Sequence, residues 1–386
     1  MIKKYIKKLF SWEPEGSIRI IFPDGSEHLL GSEETDLYMK FNNYKIVWNF
    51  FTSRANAFSD CYVNGDIECS DLTSFFIFYL RNKEKFDNMA PFKILKLNLS
   101  YLSHVLRWNS ISGARKNIRA HYDMGNDFFA EWLDDSMQYS SAHFNEDNKT
   151  LEEAQNNKLQ KLNAYLDIKD DDTLLEIGCG WGTLSQYLFN KNNINIDAIT
   201  ISDEQLKFAR ALNLKSSNKK CDFKLQDYRN TDSKYNKIVS VEMIEAVGKK
   251  YLPIYLDTIK KCLKSDGHAI IQGITIADDK FDEYSNQVDF IQKYIFPGGF
   301  LPSQKYLKDI AISSGLEIET LDELNLSYAK TLKIWRERFN TKWSKIKTMG
   351  YDDKFKRIWN YYLSYCEAGF IEKSIFVNVF KFKPKN

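Results

Sequence analysis

The stretch "LLEIGCGWGTLSQYLF", Leu174 to Phe189, holds an apolar run, an acid, glycines at 178, 180 and 182, and then a helix-like pattern. A strand that breaks at a glycine turn and re-enters as a helix is the repeating unit of an α/β fold. The same alternation continues outward. "INIDAIT", "DFKLQD" and "KIVSVEM" are further apolar, β-branched runs, and "HAIIQGITI", "LEIETL" and "FVNVFKF" supply three more. Long unpunctuated strands separated by helices predict a parallel sheet covered on both faces.

The glycine spacing narrows what the turn holds. A dinucleotide fingerprint wants its third glycine at position 183, which is Thr183, and a P-loop wants Gly-Lys-Ser/Thr, which is missing. What remains is a tight turn over which a nucleoside can lie, with Glu176 at the end of the strand. That suits S-adenosylmethionine, which has no phosphates to cradle. The competing reading is a strand-to-helix turn with no ligand. Two later turns favour the cofactor: Thr200 and Gln205 in "TISDEQ" sit where a ribose would lie, and Asp227 in "LQDYR" where a carboxylate can accept the adenine amino group. Taken singly, the first pair could be a helix cap and Asp227 a solvated loop acid. Three polar turns at consecutive strand ends are harder to dismiss.

Composition bounds the rest. The 386 residues, 43% hydrophobic, suffice for a large core and more than one domain. A net charge of +2 from 54 basic and 52 acidic residues excludes a globally basic nucleic-acid binder. "FFIFYL", Phe75 to Leu80, is cut off by Arg81, far short of the roughly 20 residues of a spanning helix. The start, "MIKKYIKKLFSW", does not read as an export signal. Six scattered cysteines form no CxxC pair, so neither a disulfide framework nor a metal site is read, and a reducing cytosol fits. Three parts are expected. Residues 1–90 form a small mixed α+β domain, opened by a hairpin around Pro23-Asp24-Gly25; residues 91–120 form a basic amphipathic linker or lid; residues 121–386 form the catalytic domain. The linker carries Lys93, Lys96, Arg107, Arg115, Lys116 and Arg119 with no acid, interleaved with apolar residues. It suits either an anionic membrane surface or packing on the catalytic domain.

Several motifs together resemble one family. "HYDMGNDFF" (His121 to Phe129), "MQYSSAHF" (Met137 to Phe144), "EIGCGWGT", "TISDEQ", "LQDYR", "SVEMIEAVG" (Ser240 to Gly248), "YIFPGGFLPS" (Tyr294 to Ser303) and "YYLSYCEAGF" (Tyr361 to Phe370) are similar, in order, to the cyclopropane-fatty-acyl-phospholipid synthases. The resemblance runs from about Arg119 to the C-terminus. It implies a seven-stranded Rossmann-like methyltransferase fold with a helical lid, and methyl transfer from S-adenosylmethionine to the double bond of a phospholipid acyl chain. Matched motif by motif, Tyr139 and Ser140 would touch the methionine end, Gly178, Gly180 and Gly182 the centre, Thr200 and Gln205 the ribose, and Gln226 and Asp227 the adenine. His121 and Asn126 would order the lid. The resemblance tips the basic linker toward membrane contact, and the protein toward a cytoplasmic location, peripheral at the inner face of the membrane.

An alkene is a poor nucleophile, so such a site must hold it in line with the methyl group in a dry pocket. The carbocation that follows can be stabilised by aromatic faces, and Phe128, Phe129, Trp132 and Tyr139 form a dense aromatic run, although core packing explains such a run equally well. A proton must then leave. The resemblance implies a bound bicarbonate as base, with Glu245 and Tyr328 at matching positions and Ser141 and Gln272 standing where the family has Cys and His. Both substitutes can donate hydrogen bonds, so bicarbonate and ring closure are the expectation. An acid in an apolar strand-end segment independently singles out Glu245, against the plainer reading of a helix-start acid. The rivals are a methyl-branched or methylated unsaturated product, an amine methyltransferase of small molecules, and a catalytically inert binding protein. Homodimerisation stays open, and no nucleic-acid partner is expected.

Overall fold

The computed structural model describes residues 12–45, 56–87, 124–147, 149–212, 214–216 and 218–385. The basic segment 91–120 and His121 lie outside them.

The first strands among the described residues are β1 (Ile18–Ile21) and β2 (Glu27–Leu30), antiparallel across the Pro23-Asp24-Gly25 turn, where the Gly25 N–H donates to Phe22 O at 2.9 Å. Strand β3 (Tyr38–Phe41) lies parallel to β1, and β4 (Ile67–Cys69) completes a four-stranded sheet in the order β2-β1-β3-β4. Helix α1 (Ala57–Val63) and helix α2 (Leu72–Arg81) accompany it. Asp71 starts α2 by accepting the Thr73 N–H, the cap that satisfies an otherwise orphaned donor. This layer is fastened to the larger body. Thr73 Oγ1 donates to the buried Glu367 Oε2 at 2.9 Å, and Arg336 pairs with the same oxygen at 2.9 Å.

The larger body begins with α3 (Leu151–Leu166), whose N-terminus carries a reciprocal cap between Thr150 and Glu153. Then strands and helices alternate: β5 (Thr173–Ile177), α4 (Thr183–Lys191), β6 (Asn195–Thr200), α5 (Asp203–Ala211), β7 (Cys221–Leu225), β8 (Tyr235–Val241), α6 (Leu252–Cys262) and β9 (Leu263–Ile276). The chain ends with β10 (Leu316–Glu323), α7 (Asn325–Thr341), α8 (Asp353–Ile371) and β11 (Ile375–Pro384). The seven strands order as β10-β11-β9-β8-β5-β6-β7. Successive residues point to opposite faces, so Leu174 joins one core and Leu175 the other, each fully buried and worth about 1.5–3 kcal/mol.

The expected seven-stranded Rossmann-like sheet is present, and the parallel pairing read from the strand pattern extends over five of its strands. Strands β5 to β9 are parallel, but β11 runs antiparallel between β9 and β10, giving the mixed sheet of a Rossmann-like methyltransferase. Local sequence encodes burial on both faces and not direction, so "FVNVFKF" could not reveal this. The chain reverses between β5–β6 and β5–β8, and the carboxyl ends there form the crevice where α/β folds hold ligands. Among the described residues no helix is long and apolar enough to cross a membrane.

Candidate active site

A cavity of about 350 Å³ opens at these strand ends. One side is the glycine turn, where Gly178 and Gly180 have φ of +81° and +53°, and a Cβ on Gly180 would meet nothing within 4 Å. That gap over a backbone held in the left-handed region is a cradle a flat ligand can fill. Thr200 and Gln205, bonded to one another at 3.0 Å, line it beside Gln226 and Asp227. These polar ends with an open cradle fit a nucleoside-bearing methyl donor such as S-adenosylmethionine.

Individual roles differ from the expectation in places. Gly182 does not line the cavity; a Cβ there would stand 3.0 Å from Ala209 and Phe223, so its job is close helix–sheet packing. Glu176 accepts from Ser185 on α4 while facing the cavity, and burial pushes it up to about 7. Asp227 is gripped by Arg229, with Nη2 to Oδ2 at 2.6 Å and Nε to Oδ1 at 2.8 Å, so the carboxylate meets any ligand already paired. Gln226 Nε2 donates to Thr231 at 2.9 Å. Of the aromatic run, Phe128, Phe129 and Trp132 are packed in the core, and Tyr139 reaches the cavity, where its hydroxyl lies 2.9 Å from that of Tyr362. Asn126 accepts from the Trp181 indole at 2.8 Å, tying the segment that follows "HYDMG" to the glycine turn.

Apolar side chains line the same cavity. Phe296, Phe300 and Leu301 come from the "YIFPGGFLPS" loop, Ile291 from the short helix before it, and Phe370 from α8. Leu80 of α2 also reaches this wall. The loop is pinned across the strand ends by the Phe300 N–H, which donates to Glu245 O at 2.8 Å.

Buried ionisable groups line it as well, and here the structure departs most from the sequence reading. Tyr328, on α7, donates to Glu242 Oε2 at 2.6 Å, not to Glu245. The Ser141 backbone N–H donates to Glu242 Oε1 at 2.8 Å, and Gln272 Nε2 to the same oxygen at 2.9 Å. The Ser141 hydroxyl turns away and donates to Ala142 O at 2.9 Å, and neither Ser141 nor Gln272 lines the cavity. The side-chain donors expected to face a bound bicarbonate are thus already engaged, the Gln272 amide by Glu242 and the Ser141 hydroxyl by Ala142 O. Glu242 adopts φ +49°, uncommon for a residue with a side chain. Burial raises its pKa, opposed by the hydrogen bonds from Tyr328, Ser141 and Gln272. Glu245 Oε1 accepts from the Ile274 N–H, while its Oε2 is buried without a partner. Burial, and then the charge of Glu242, push Glu245 up to about 8.

Lys158 completes the group. It lies on the packed face of α3, where its Nζ donates to Ser140 Oγ at 2.6 Å, and burial pushes it down to about 8. Neither Glu242 nor Lys158 was singled out from sequence. The signal for each was present: Glu242 is an acid closing the apolar run "KIVSVEM", and Lys158 occupies a helical position between Ala154 and Leu162, both buried.

The sequence profile of the mycolic acid cyclopropane synthetase family matches residues 110–380. A tuberculostearic acid methyltransferase, UfaA1 of Mycobacterium tuberculosis, is 38% identical over 266 residues, covering 67% of this chain and 62% of that protein. The chain thus spans less than two thirds of that relative. A cyclopropane-fatty-acyl-phospholipid synthase of Escherichia coli is 34% identical over 334 residues, 82% of this chain and 80% of that protein. Among solved structures, the mycolic acid cyclopropane synthase CmaA1 complexed with SAH and CTAB is similar with a TM-score of 0.64 at 28% identity, covering 69% of this chain and 97% of that one.

Proposed function

Since the chain belongs to the mycolic acid cyclopropane synthetase family, a group of S-adenosylmethionine-dependent methyltransferases, we propose that it methylates the double bond of an unsaturated phospholipid acyl chain and closes a cyclopropane ring. The observation that carries the acyl-chain reading is the continuity of one cavity from the glycine cradle to the apolar wall of Phe296, Phe300, Leu301 and Phe370. Glu242 and Glu245 line the same cavity as that wall, so an acyl chain held there shares the space with buried carboxyls. Bound S-adenosylmethionine would supply an electrophilic methyl group.

The protein's own residues do the remainder. The Gly178–Gly180 turn, Thr200, Gln205 and the Asp227–Arg229 pair hold and orient the donor. The loop around Phe300 is pinned by its bond to Glu245 O and lays apolar side chains over the strand ends, and a less watery site raises the effective strength of every charge inside. Aromatic faces at Tyr139, Tyr328 and Phe370 and the carboxylate of Glu242 stabilise positive charge on the chain. The basic stretch from Lys93 to Arg119 supports contact with anionic headgroups, each basic residue near the surface adding about 1 kcal/mol. A location at the cytoplasmic face of the membrane follows from the same argument.

A second reading keeps the methyl group on an open chain. It is favoured by the 38% identical relative, named for tuberculostearic acid, and by Gln272 in place of an ionisable histidine. Lipid analysis of a host expressing the protein tests the function: acyl chains heavier by one methylene support it, and an unchanged lipid profile beside methylated small amines refutes it.

A further inference from the structure

The reaction proposed above ends with a proton leaving the chain, and the described residues that line the cavity offer few groups to take it. Asp227 is held by Arg229, Glu176 by Ser185, and Asp289 caps the helix Phe290–Tyr294 by accepting the Gln292 N–H at 2.9 Å. Lys158 is a cation when protonated and is turned to Ser140. Two carboxyls remain, Glu242 and Glu245, three residues apart at the end of β8.

We propose that Glu242 is the catalytic base of this site, its carboxylate standing where a small bound anion would otherwise be held. The assignment rests on the acyl-chain reading and names the group that completes it. Three donors converge on Glu242: the Tyr328 hydroxyl on Oε2, and the Ser141 N–H and the Gln272 amide on Oε1. Burial raises the Glu242 pKa, and these three donors, with the Lys158 cation, oppose that by favouring the charged carboxylate. Glu245 has one backbone donor and an oxygen without a partner, the environment of a protonated acid. With three donors on Glu242 and one on Glu245, Glu242 is the carboxyl whose charged form the site supports better, and its charge in turn favours the protonated form of Glu245. The backbone agrees. Glu242 is held at φ +49°, a conformation that side-chain-bearing residues avoid, and such strain collects where a side chain must be aimed.

The step balances without another reactant. The π pair of the alkene bonds to the methyl carbon as the sulfonium–methyl bond breaks onto sulfur, leaving a thioether and a cation on the adjacent chain carbon. Glu242 Oε2, which keeps a lone pair after accepting from Tyr328, takes a proton from the added methyl, and the C–H pair closes the ring. Taking it from the neighbouring chain carbon gives the methylated alkene instead. The resulting glutamic acid releases its proton to water when the product leaves.

The test uses the full chain, S-adenosylmethionine with a labelled methyl group, and vesicles of unsaturated phosphatidylglycerol. Wild-type protein should keep its rate in CO₂-free buffer, and ¹³C-bicarbonate NMR should find no bound anion. Glu242→Gln should lose on the order of a hundred- to ten-thousandfold in rate while its calorimetric affinity for S-adenosylmethionine is unchanged. Glu242→Gly suits the observed φ and vacates the three donors, so added bicarbonate or formate should bind, seen by NMR, and restore part of the rate. This second variant carries the test if the first does not fold. A wild-type protein that binds ¹³C-bicarbonate and needs it for turnover overturns the assignment, as does a Glu242→Gln variant of normal rate. Failure of wild-type protein to label any acyl chain would overturn the acyl-chain reading, whereas the bicarbonate-binding measurement judges Glu242 by itself.

Discussion

Replacing Tyr328 with Phe removes one hydroxyl and leaves the ring that stacks on Phe370 at 4.6 Å. The lost contact is the 2.6 Å hydrogen bond to Glu242 Oε2, and a hydrogen bond to a charged group contributes about 1.5–3 kcal/mol. At about 1.4 kcal/mol per pKa unit, the Glu242 pKa should rise by about one to two units. The sign follows from which form the bond favours: Tyr328 donates to the carboxylate, so its loss favours the protonated acid. The proposed base must be ionised, and activity is lost as pH falls through its pKa. The acid limb of the pH–rate profile should therefore move to higher pH by about one to two units, with a rate deficit of about ten- to hundredfold below the limb that shrinks above it. The assay is methyl transfer to vesicles at saturating donor, with cofactor affinity and melting temperature measured in parallel. A purely packing role for Tyr328 would lower stability and leave the limb in place. A profile that superimposes on wild type, or a limb displaced to lower pH, refutes the argument.

Glu245, pushed up to about 8, holds in the folded state a proton that an unfolded chain with an ordinary value near 4.3 releases. The stability that Glu245 contributes should accordingly be fully present at acid pH and be lost as pH rises between those values; Glu245→Gln should therefore shift the melting temperature differently at pH 5 and pH 8, and an equal shift at both would contradict it. Gly178→Ala puts a Cβ 2.9 Å from Met243 Cγ at φ +81°, a region that costs an L-residue about 1–2 kcal/mol. Urea unfolding should register that loss, calorimetry a weaker affinity for S-adenosylmethionine, and an unchanged affinity would remove the turn from the binding site. Neutralising the basic residues from Lys93 to Arg119 should reduce sedimentation with anionic vesicles, and salt should weaken wild-type binding because attraction is screened over about 10 Å at 0.1 M. Equal binding to neutral and anionic vesicles would favour a packed linker.

The glycine turn and the strands around it were legible because their signals are local. Leu174 and Leu175 must both be buried, and positive φ at Gly178 demands a residue without Cβ. Pairing direction and side-chain aim are settled by contacts distant in sequence, and there local reading stopped. Strand β11 entered antiparallel. Ser141 and Gln272 stand at anion-site positions in the sequence, yet the hydroxyl of one turns to Ala142 O and the amide of the other to Glu242. Glu242 escaped notice although it shares the apolar strand end that drew attention to Glu245, because its partners Ser141, Gln272 and Tyr328 lie 30 or more residues away in sequence. Lys158 was hidden by its own charge, which suggests solvent until the burial of Leu159 and Leu162 around it is known.

The most direct test of the account is the fate of the methyl group. Purified protein incubated with ¹³C-methyl S-adenosylmethionine and monounsaturated phospholipid vesicles should place the label in the acyl chain, where proton and carbon NMR of the extracted lipid would find it in the upfield region of a cyclopropane ring. A labelled branch methyl with retained vinyl signals would replace ring closure with the open-chain product. Label found only in a headgroup amine, or in no lipid at all, would contradict methylation of the acyl chain.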